Sequence, residues 1–382
     1  MNLDFCVTTN RGLEDITAKE LLKLLPSASN IRIGKSKVFF SADEKAIYIV
    51  NLLARTVHRL LWILGKDRCR TLSEIYRYTC SLDFTEVIDR NQSFAVRAER
   101  SGKHNFTSID IAATVGQAII DSFRRDTGVR LKVNLKNPDV EFFCHLVDNE
   151  FTIAVNTTGD SLHKRNYRIY DHPAAIKTTI ASALVYLSGW TKDHVFLDPM
   201  CGGGTIPIEA ALIARNIAPG IFRKTSFSFE KLMTFDRSKY AKLRDIIEKS
   251  SNRGKYSIYA IEISPKHLRG AIANAKSAGV RDTIKFIQGD ARHLEKYLDV
   301  SPEYVVVNPP YGVKLTRREY IPILYKEFLK SLKSLVGHCT LVVITAAFKE
   351  FEKACNLLNA EIIEKRRVLH GALTTQVYKC II

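Results

Sequence analysis

The stretch HVFLDPMCGGGT at residues 194–205 decides how the carboxy-terminal half of this chain folds. An apolar run at 194–198 predicts a buried strand, the glycine-rich segment 199–205 a turn, and 206–215 a helix. Strand, glycine turn and helix in this order open an α/β fold with a parallel sheet. The turn holds neither Gly-Lys-[Ser/Thr] nor Gly-x-Gly-x-x-Gly, which argues against a phosphate-binding loop and against a nicotinamide dinucleotide site.

Acidic or amide side chains close four successive predicted strands. Asp198 ends the first strand, Glu262 follows the strand 257–261, Asp290 follows 284–288, and Asn308 follows 305–307. A single acidic residue at a strand end is often only a cap. Because the carboxyl ends of parallel strands meet at one edge of a sheet, four such residues predict one ligand site. Their oxygens are acceptors, and a carboxylate can accept from two hydroxyls at once.

The tetrad Asn308-Pro309-Pro310-Tyr311 predicts a stiff loop at the same edge. Two prolines fix the backbone φ angle and remove two N–H donors, while their carbonyls remain as acceptors. The amide oxygen of Asn308 adds an acceptor, and Tyr311 adds an aromatic face. The loop therefore suits a planar amine on a ring. An ordinary strand-ending turn is the alternative for the tetrad alone.

The segment DPMCGGGT and the tetrad NPPY together resemble S-adenosylmethionine-dependent methyltransferases that modify exocyclic amino groups. The resemblance implies S-adenosyl-L-methionine as the cofactor, Glu262 as the acceptor for ribose hydroxyls, and Asp290 as the acceptor for the adenine amine. It implies catalytic roles for Asn308, Pro309, Pro310 and Tyr311. The implied cofactor-binding residues are His172, Pro173, Asp198, Met200, Cys201, Gly202, Gly204, Thr205, Glu262, Ile263, Asp290, Ala291 and Asn308. Cys201 lies in the cofactor turn, which argues against a nucleophilic cysteine.

The remaining carboxy-terminal pattern completes a Rossmann-like methyltransferase domain, which we place at 191–382. A hairpin of 362–369 with 376–382 supplies the antiparallel strand that closes such sheets. We interpret 159–190 as a linker and leading helix. Its basic run 161–168 fits a solvated connector and a guide for RNA equally well.

The amino-terminal half predicts two further α+β domains. A β-α-β-β-α-β order within about 65 residues indicates a ferredoxin-like domain at 1–66. Residues 67–158 contain the strand 93–100, a turn, the helix 109–125, and the segment VNLKNPDVEF at 133–142. These features resemble a THUMP domain, which implies RNA binding and docking on the 3′ end of tRNA.

The predicted RNA-binding residues are Arg97, Arg100, His104, Phe106, Ser108, Arg130, Lys132, Asn134, Lys164 and Arg165. Cations would contact phosphates, and exposed His and Phe rings would stack on unpaired bases. Each arginine taken alone is more often a solvated surface residue. The ordered set before a methyltransferase-like half favours RNA binding.

Composition agrees with a polyanionic partner. The chain carries a net charge of +17, and residues 166–382 hold 33 Lys and Arg against 20 Asp and Glu. Nucleic acid is the first candidate. The eight scattered cysteines lack metal-ligand spacing, so we expect reduced thiols and no metal. Without a long apolar run or a leader-like start, we expect a cytoplasmic monomer with no membrane partner.

Nearly the whole chain resembles THUMP-domain RNA guanine-N2 methyltransferases. The resemblance implies methylation of a guanosine N2 amine in the tRNA acceptor stem. Guanine-N2 methylation of large-subunit rRNA is the first alternative. A DNA amino-methyltransferase would share the tetrad but has no use for a THUMP domain. A non-catalytic RNA-binding protein is the alternative of a different class, and the intact tetrad argues against it.

Overall fold

The computed structural model describes residues 2–312, 317–371 and 373–382. Two sheets organise these residues. The elements that build the first sheet and its helices are β1 (Leu3–Thr9), α1 (Glu14–Leu24), β2 (Ser29–Gly34), β3 (Lys37–Ala42), α2 (Ala46–Leu53), β4 (Val57–Arg68), α3 (Leu72–Cys80), β5 (Ser93–Ser101), α4 (Ser108–Thr127), β6 (Lys132–Val133), β7 (Val140–Val147) and β8 (Glu150–Asn156).

The first sheet is continuous across the two predicted amino-terminal domains. Its order is β2-β3-β1-β4-β8-β7-β5-β6, and β4 pairs antiparallel with both β1 and β8. The strand β4 runs from Val57 to Arg68. The domain boundary that we placed after residue 66 therefore falls inside a strand.

The second sheet belongs to the carboxy-terminal half. Its helices and strands are α5 (Thr178–Ser188), β9 (Phe196–Asp198), α6 (Thr205–Ala214), α7 (Arg237–Lys249), β10 (Ile258–Glu262), α8 (Pro265–Ser277), β11 (Ile284–Gln288), β12 (Tyr304–Val307), α9 (Ile321–Leu335), β13 (Thr340–Thr345), α10 (Phe348–Leu357), β14 (Glu361–His370) and β15 (Leu373–Ile381).

The order of this sheet is β11-β10-β9-β12-β13-β15-β14, with β15 antiparallel to β13 and β14. This order confirms the Rossmann-like fold with its closing hairpin. Strands β12 and β13 are continuous apolar runs that are buried on both faces, as expected of central parallel strands. From β9 the chain adds β10 and β11 on one side, and then returns to add β12 and β13 on the other side of β9. Open α/β sheets bind ligands at such a point.

Buried charges join the two halves. Arg165 lies 3.2 Å from Glu209 on α6, and its guanidinium also donates to the Arg55 carbonyl (2.6 Å). Arg55 in turn donates to the carbonyls of Leu212 and Ile217. The predicted linker is therefore partly core: Arg165 is 4% exposed, and α5 is almost wholly buried. Arg165 cannot reach RNA from this position, and that part of the RNA-binding prediction is wrong.

Residues 219–249 also connect the two halves of the chain. The sequence analysis predicted no helix or strand for them. Phe229 and Tyr240 pack on Tyr48 of α2, with ring centroids 5.2 and 5.6 Å apart. Over the described parts of the chain, no helix is long and apolar enough to cross a membrane. All eight cysteines are free thiols. The described residues contain no group of three or more His, Cys, Asp or Glu side chains that could hold a metal ion.

Candidate active site

The glycine turn after β9 is shaped by close packing. Gly202 and Gly204 adopt φ angles of +51° and +79°, which side chains other than glycine rarely tolerate. A Cβ atom at Gly202 would lie 3.1 Å from the His172 ring, and one at Gly204 would lie 3.0 Å from the Ala271 side chain. The turn therefore needs its glycines, and the predicted residue His172 lies directly on it.

Two buried carboxylates face this turn. Glu262 accepts from the N–H groups of Gly202 and Ser264, both at 2.9 Å. Asp198 is 1% exposed and accepts from the Met200 N–H at 3.2 Å. Burial, followed by the nearby charge of Glu262, raises the pKa of Asp198 well above its usual range.

Neither Asp198 nor Glu262 has an ion-pair partner within residues 2–312, 317–371 and 373–382. A buried carboxylate without a cation is unfavourable, so the pair suits a ligand that carries a positive charge and hydroxyl groups. S-adenosyl-L-methionine has both, with an ammonium, a sulfonium and a ribose. The donor set therefore fits the cofactor implied by the sequence.

Asp290 lies at the end of the next strand and is held by a neighbour. It accepts from the Arg292 backbone N–H (3.0 Å) and from the guanidinium in bidentate fashion, with Nε on Oδ1 (3.1 Å) and Nη2 on Oδ2 (2.6 Å). These hydrogen bonds lower the pKa of Asp290, so it stays ionised. Nearby Ile263 is 60% exposed, while Ala291 is buried. An ionised acceptor beside an exposed apolar side chain suits an aromatic amine such as adenine.

The segment 172–174 connects the glycine turn with the tetrad. The His172 ring meets the His267 ring edge-on, with centroids 4.4 Å apart, and burial lowers the pKa of His172 to about 4. The carbonyl of Ala174 accepts from the Asn308 amide at 3.4 Å. The predicted residues His172, Pro173 and Asn308 are thus drawn to one place from sequence positions about 135 residues apart.

The tetrad loop is internally bonded. The Tyr311 hydroxyl donates to Oδ1 of Asn308, and burial raises the pKa of Tyr311, so the hydroxyl keeps its proton. The Pro310 carbonyl accepts from Tyr325 (3.2 Å), which also contacts Thr345 at the end of β13 (2.7 Å). An amine at Asn308 must share Oδ1 with Tyr311, a coupling that the sequence did not reveal.

Sequence reasoning missed Asn274, which holds this region together from α8. Its Oδ1 accepts from the N–H groups of Ile169 and Tyr170 (2.9 and 2.8 Å). Its Nδ2 donates to the carbonyls of Tyr170 and Gly203, both at 3.0 Å. Asn274 is 2% exposed. Its position on the apolar stripe of α8, three residues after Ala271 and one before Ala275, was the available signal.

Arg168 was also missed as a contributor to this region. It donates to the Ile176 carbonyl (2.8 Å) and to the Thr205 hydroxyl (3.1 Å). The hydroxyl of Thr205, a predicted cofactor residue, is therefore engaged by the connector. Part of the basic run 161–168 thus supports the glycine turn from within the protein.

The predicted RNA-binding residues divide by burial. Arg97 lies 3.0 Å from Glu141 and donates to the Leu135 carbonyl (2.7 Å), and it stays at the surface. Arg100 approaches His104 (3.4 Å). Phe106, by contrast, is 7% exposed and belongs to the first hydrophobic core. It cannot stack on a base, so its assignment is wrong.

The other predicted RNA-binding residues remain at or near the surface. His104 Nε2 lies 2.6 Å from the Asp148 carbonyl, and the side chain of Asn134 ties its own turn to the Asn137 carbonyl (2.8 Å). Lys164 pairs with Asp160 at 3.1 Å. Ser108 is the first residue of α4, and Arg130 and Lys132 are exposed.

A Rossmann-like sheet with acidic strand ends, a glycine turn and an Asn-Pro-Pro-Tyr loop defines the methyltransferase class. Family models agree with this and with the amino-terminal half. Residues 165–376 match the RMKL-like methyltransferase domain, 69–156 match the THUMP domain, and 4–61 match the RlmL ferredoxin-like domain.

Individual proteins support the same conclusion. The chain is 42% identical over 381 residues to tRNA (guanine(6)-N2)-methyltransferase of Methanocaldococcus jannaschii, covering 98% of this chain and 99% of that protein. It is 30% identical over 378 residues to ribosomal RNA large subunit methyltransferase K/L of Vibrio campbellii, covering 98% of this chain but 52% of that protein. The chain belongs to the family of THUMP-domain methyltransferases that includes these enzymes.

A solved structure shows the same architecture over the whole chain. It is a crystal structure of a protein assigned as a methyltransferase and complexed with SAH, with a TM-score of 0.87 and 26% sequence identity. The match covers 99% of this chain and 97% of the chain in that crystal structure.

Proposed function

We propose that this protein transfers a methyl group from S-adenosyl-L-methionine to the exocyclic N2 amine of a guanosine in the acceptor stem of tRNA. The observation that carries the proposal is the shared edge of the second sheet. There Asp198, Glu262, Asp290 and the Asn308–Tyr311 loop all lie at the carboxyl ends of parallel strands. The choice of guanine as the base and of tRNA as the substrate rests on the Methanocaldococcus jannaschii relative, 99% of which this chain covers.

The cofactor, when bound, supplies an electrophilic methyl group, and Asp198, Glu262 and Asp290 would hold its ammonium, ribose and adenine. Asn308 would accept a hydrogen bond from the substrate amine. As that nitrogen becomes tetrahedral its N–H groups become more acidic, so the acceptor stabilises the transition state more than the ground state. The methylated ammonium loses its proton readily to water, so no strong base is required.

Tyr311 would act on both the base and Asn308. Its ring is half-buried beside the loop and offers a stacking surface for a guanine that has left its helix. Its hydroxyl fixes the orientation of the Asn308 amide by donating to Oδ1. With this hydroxyl on Oδ1, the amide presents a defined lone pair to the incoming amine.

The amino-terminal half would hold the RNA. We propose that the THUMP domain docks on the 3′ end of tRNA through Arg97, Arg100, His104, Arg130 and Lys132. The cytoplasmic location and the monomeric state expected from the sequence belong to the same proposal. Guanine-N2 methylation of large-subunit rRNA is the second candidate, because the Vibrio relative is named for that substrate.

One experiment separates these substrates. Purified protein is incubated with methyl-labelled S-adenosyl-L-methionine and either tRNA or large-subunit rRNA transcripts, and the digested nucleosides are identified. We expect labelled N2-methylguanosine from tRNA. Label only in rRNA would favour the second candidate, and label only as N6-methyladenosine would disprove the guanine assignment.

A further inference from the structure

A groove of about 630 Å³ lies between α10 and the hairpin of β14 and β15 in the second sheet. Its lining residues are Phe348, Glu352, Lys365, Arg366, Arg367, Thr374, Gln376 and Tyr378. Gln376 is paired in register with Thr345, the last residue of β13. Tyr325 links Thr345 to the Pro310 carbonyl, so the groove begins next to the proposed methyl-accepting site.

Among the residues that the structure describes, the charges in the groove leave one cation, Arg367, without a partner. The Glu352 carboxylate accepts from the Tyr378 hydroxyl (2.8 Å) and from Lys365 (3.4 Å), which offsets its charge. Arg366 is engaged elsewhere, with Asp15 and Glu364. Arg367 is exposed and has no ion pair or side-chain hydrogen bond to any other described residue.

An aromatic side chain faces the same groove. Phe348 is the first residue of α10 and is 39% exposed. No side chain from the described part of the chain caps this helix, and uncapped N-terminal N–H groups favour an anion nearby. A free guanidinium, an exposed ring and an open helix end together match a nucleotide, which carries both a phosphate and a base.

We propose that this groove binds the nucleotide next to the target guanosine, with Arg367 on its phosphate and Phe348 against its base. The proposal rests on the proposed function, since it takes RNA as the substrate. Arg367 lies on β14, three strand spacings or about 14 Å from β12, and Phe348 begins α10 shortly after β13, so the groove is within reach of a neighbouring nucleotide. The groove thus positions the RNA at the catalytic edge, separately from the THUMP domain.

Two variants test the groove by titration of a tRNA transcript over a range of salt concentrations. Arg367→Ser should reduce the slope of log affinity against log salt by about 0.7–0.9, as expected for one lost phosphate contact. Phe348→Ala should weaken RNA binding by about tenfold, and Phe348→Trp should retain it. In turnover, both losses should raise KM for tRNA more than they lower kcat.

Arg253→Ser is the matched control. Arg253 is exposed in the loop before β10, at the amino edge of the sheet and away from the site. Its slope and affinity should equal those of the unmodified protein. Binding of S-adenosylhomocysteine should stay unchanged in all variants. This shows that the fold and cofactor site are intact, and if Phe348→Ala does not fold, Arg367→Ser decides.

The outcomes separate the two proposals. If the unmodified protein methylates tRNA while Arg367→Ser and Phe348→Trp and Phe348→Ala all keep its slope, affinity and KM, the groove proposal is wrong and the function stands. If the unmodified protein methylates no RNA at all, the proposed function itself fails. Loss of slope in Arg367→Ser but not in Arg253→Ser supports the groove.

Discussion

The catalytic edge of the second sheet and the cationic surface of residues 97–134 differ in how their side chains are held. At the edge, Asp198 and Glu262 are buried, and their oxygens accept from backbone N–H groups of the adjoining loops. On the cationic surface, Arg100 and Lys132 project from a strand end and a two-residue strand into solvent.

This difference explains why the sequence predicted where the residues of the catalytic edge lie, but predicted the cationic surface only in part. A residue that directly follows a parallel strand has its place set by the strand register, whatever the surface around it does. A surface cation has no such constraint, and its neighbours decide whether it faces solvent. The two regions should therefore respond differently to mutation.

Asn308→Ala should have the largest effect. Loss of an acceptor that strengthens in the transition state should lower kcat by about 10²–10³-fold. Single-turnover methylation of tRNA measures this. Tyr311→Phe, which removes only the hydroxyl on Oδ1, should cost about tenfold or less. Asn356→Ala on the exposed end of α10 is the control, and full activity in Asn308→Ala would contradict the proposed role.

Glu262→Gln should have the next largest effect, because it removes the negative charge of the side chain but keeps the shape of the side chain. Charged hydrogen bonds contribute about 1.5–3 kcal/mol, so the affinity for S-adenosylhomocysteine should fall about 10–100-fold. Calorimetric titration measures it, with the exposed Glu361→Gln as the control. An unchanged affinity would show that this carboxylate does not hold the cofactor.

Acid should destabilise the fold through its buried histidines. Burial lowers the pKa of His58 to about 3 and that of His163 to about 4, and the two rings lie 5.6 Å apart. Between these values and the ordinary histidine pKa of about 6.5 the unfolded chain binds more protons, so stability falls as the pH falls through this window.

The loss attributable to His58 should be about 3 kcal/mol between pH 7 and pH 4. Urea unfolding at several pH values measures it. His58→Asn should flatten the decline relative to the unmodified protein, whereas His338→Asn on the surface should not. A decline of equal steepness in His58→Asn would show that other groups cause it.

Arg100→Ala should have the smallest effect. One exposed cation should contribute about threefold to tRNA affinity and little to activity at saturating RNA. Phe106→Leu sharpens the comparison: it should lower stability by about 1 kcal/mol while leaving RNA affinity unchanged, because Phe106 lies in the core. An equal loss of RNA affinity in both variants would contradict the division by burial.

Particular residues show how much of the structure the sequence predicted. The fold order, the closing hairpin and the meeting of Asp198, Glu262, Asp290 and Asn308 followed from strand periodicity and parallel topology. Asn274 was missed because its partners are backbone groups about 105 and 71 residues away. The sequence showed only a polar residue on the apolar stripe of α8, and not the groups that this residue binds.

Arg165 and Phe106 were misjudged for a related reason. A basic run and an aromatic residue in a turn are typical of a surface, and only the packing of Glu209 or of α4 shows otherwise. For Arg165 and Phe106 the deciding contact is distant in sequence. The helix α7 was missed although its sequence holds a helix signal, with Asp236 as the N-cap and Tyr240, Leu243 and Ile247 at helical spacing.

The shared strand β4 has a consequence for cooperativity. Because its backbone groups bond to β1 on one side and β8 on the other, opening one neighbour removes support from the other. The ferredoxin-like and THUMP segments should therefore lose amide protection together in hydrogen exchange, as one foldon. A substitution at Leu61 in the middle of β4 would then loosen the proposed RNA-binding half as a unit.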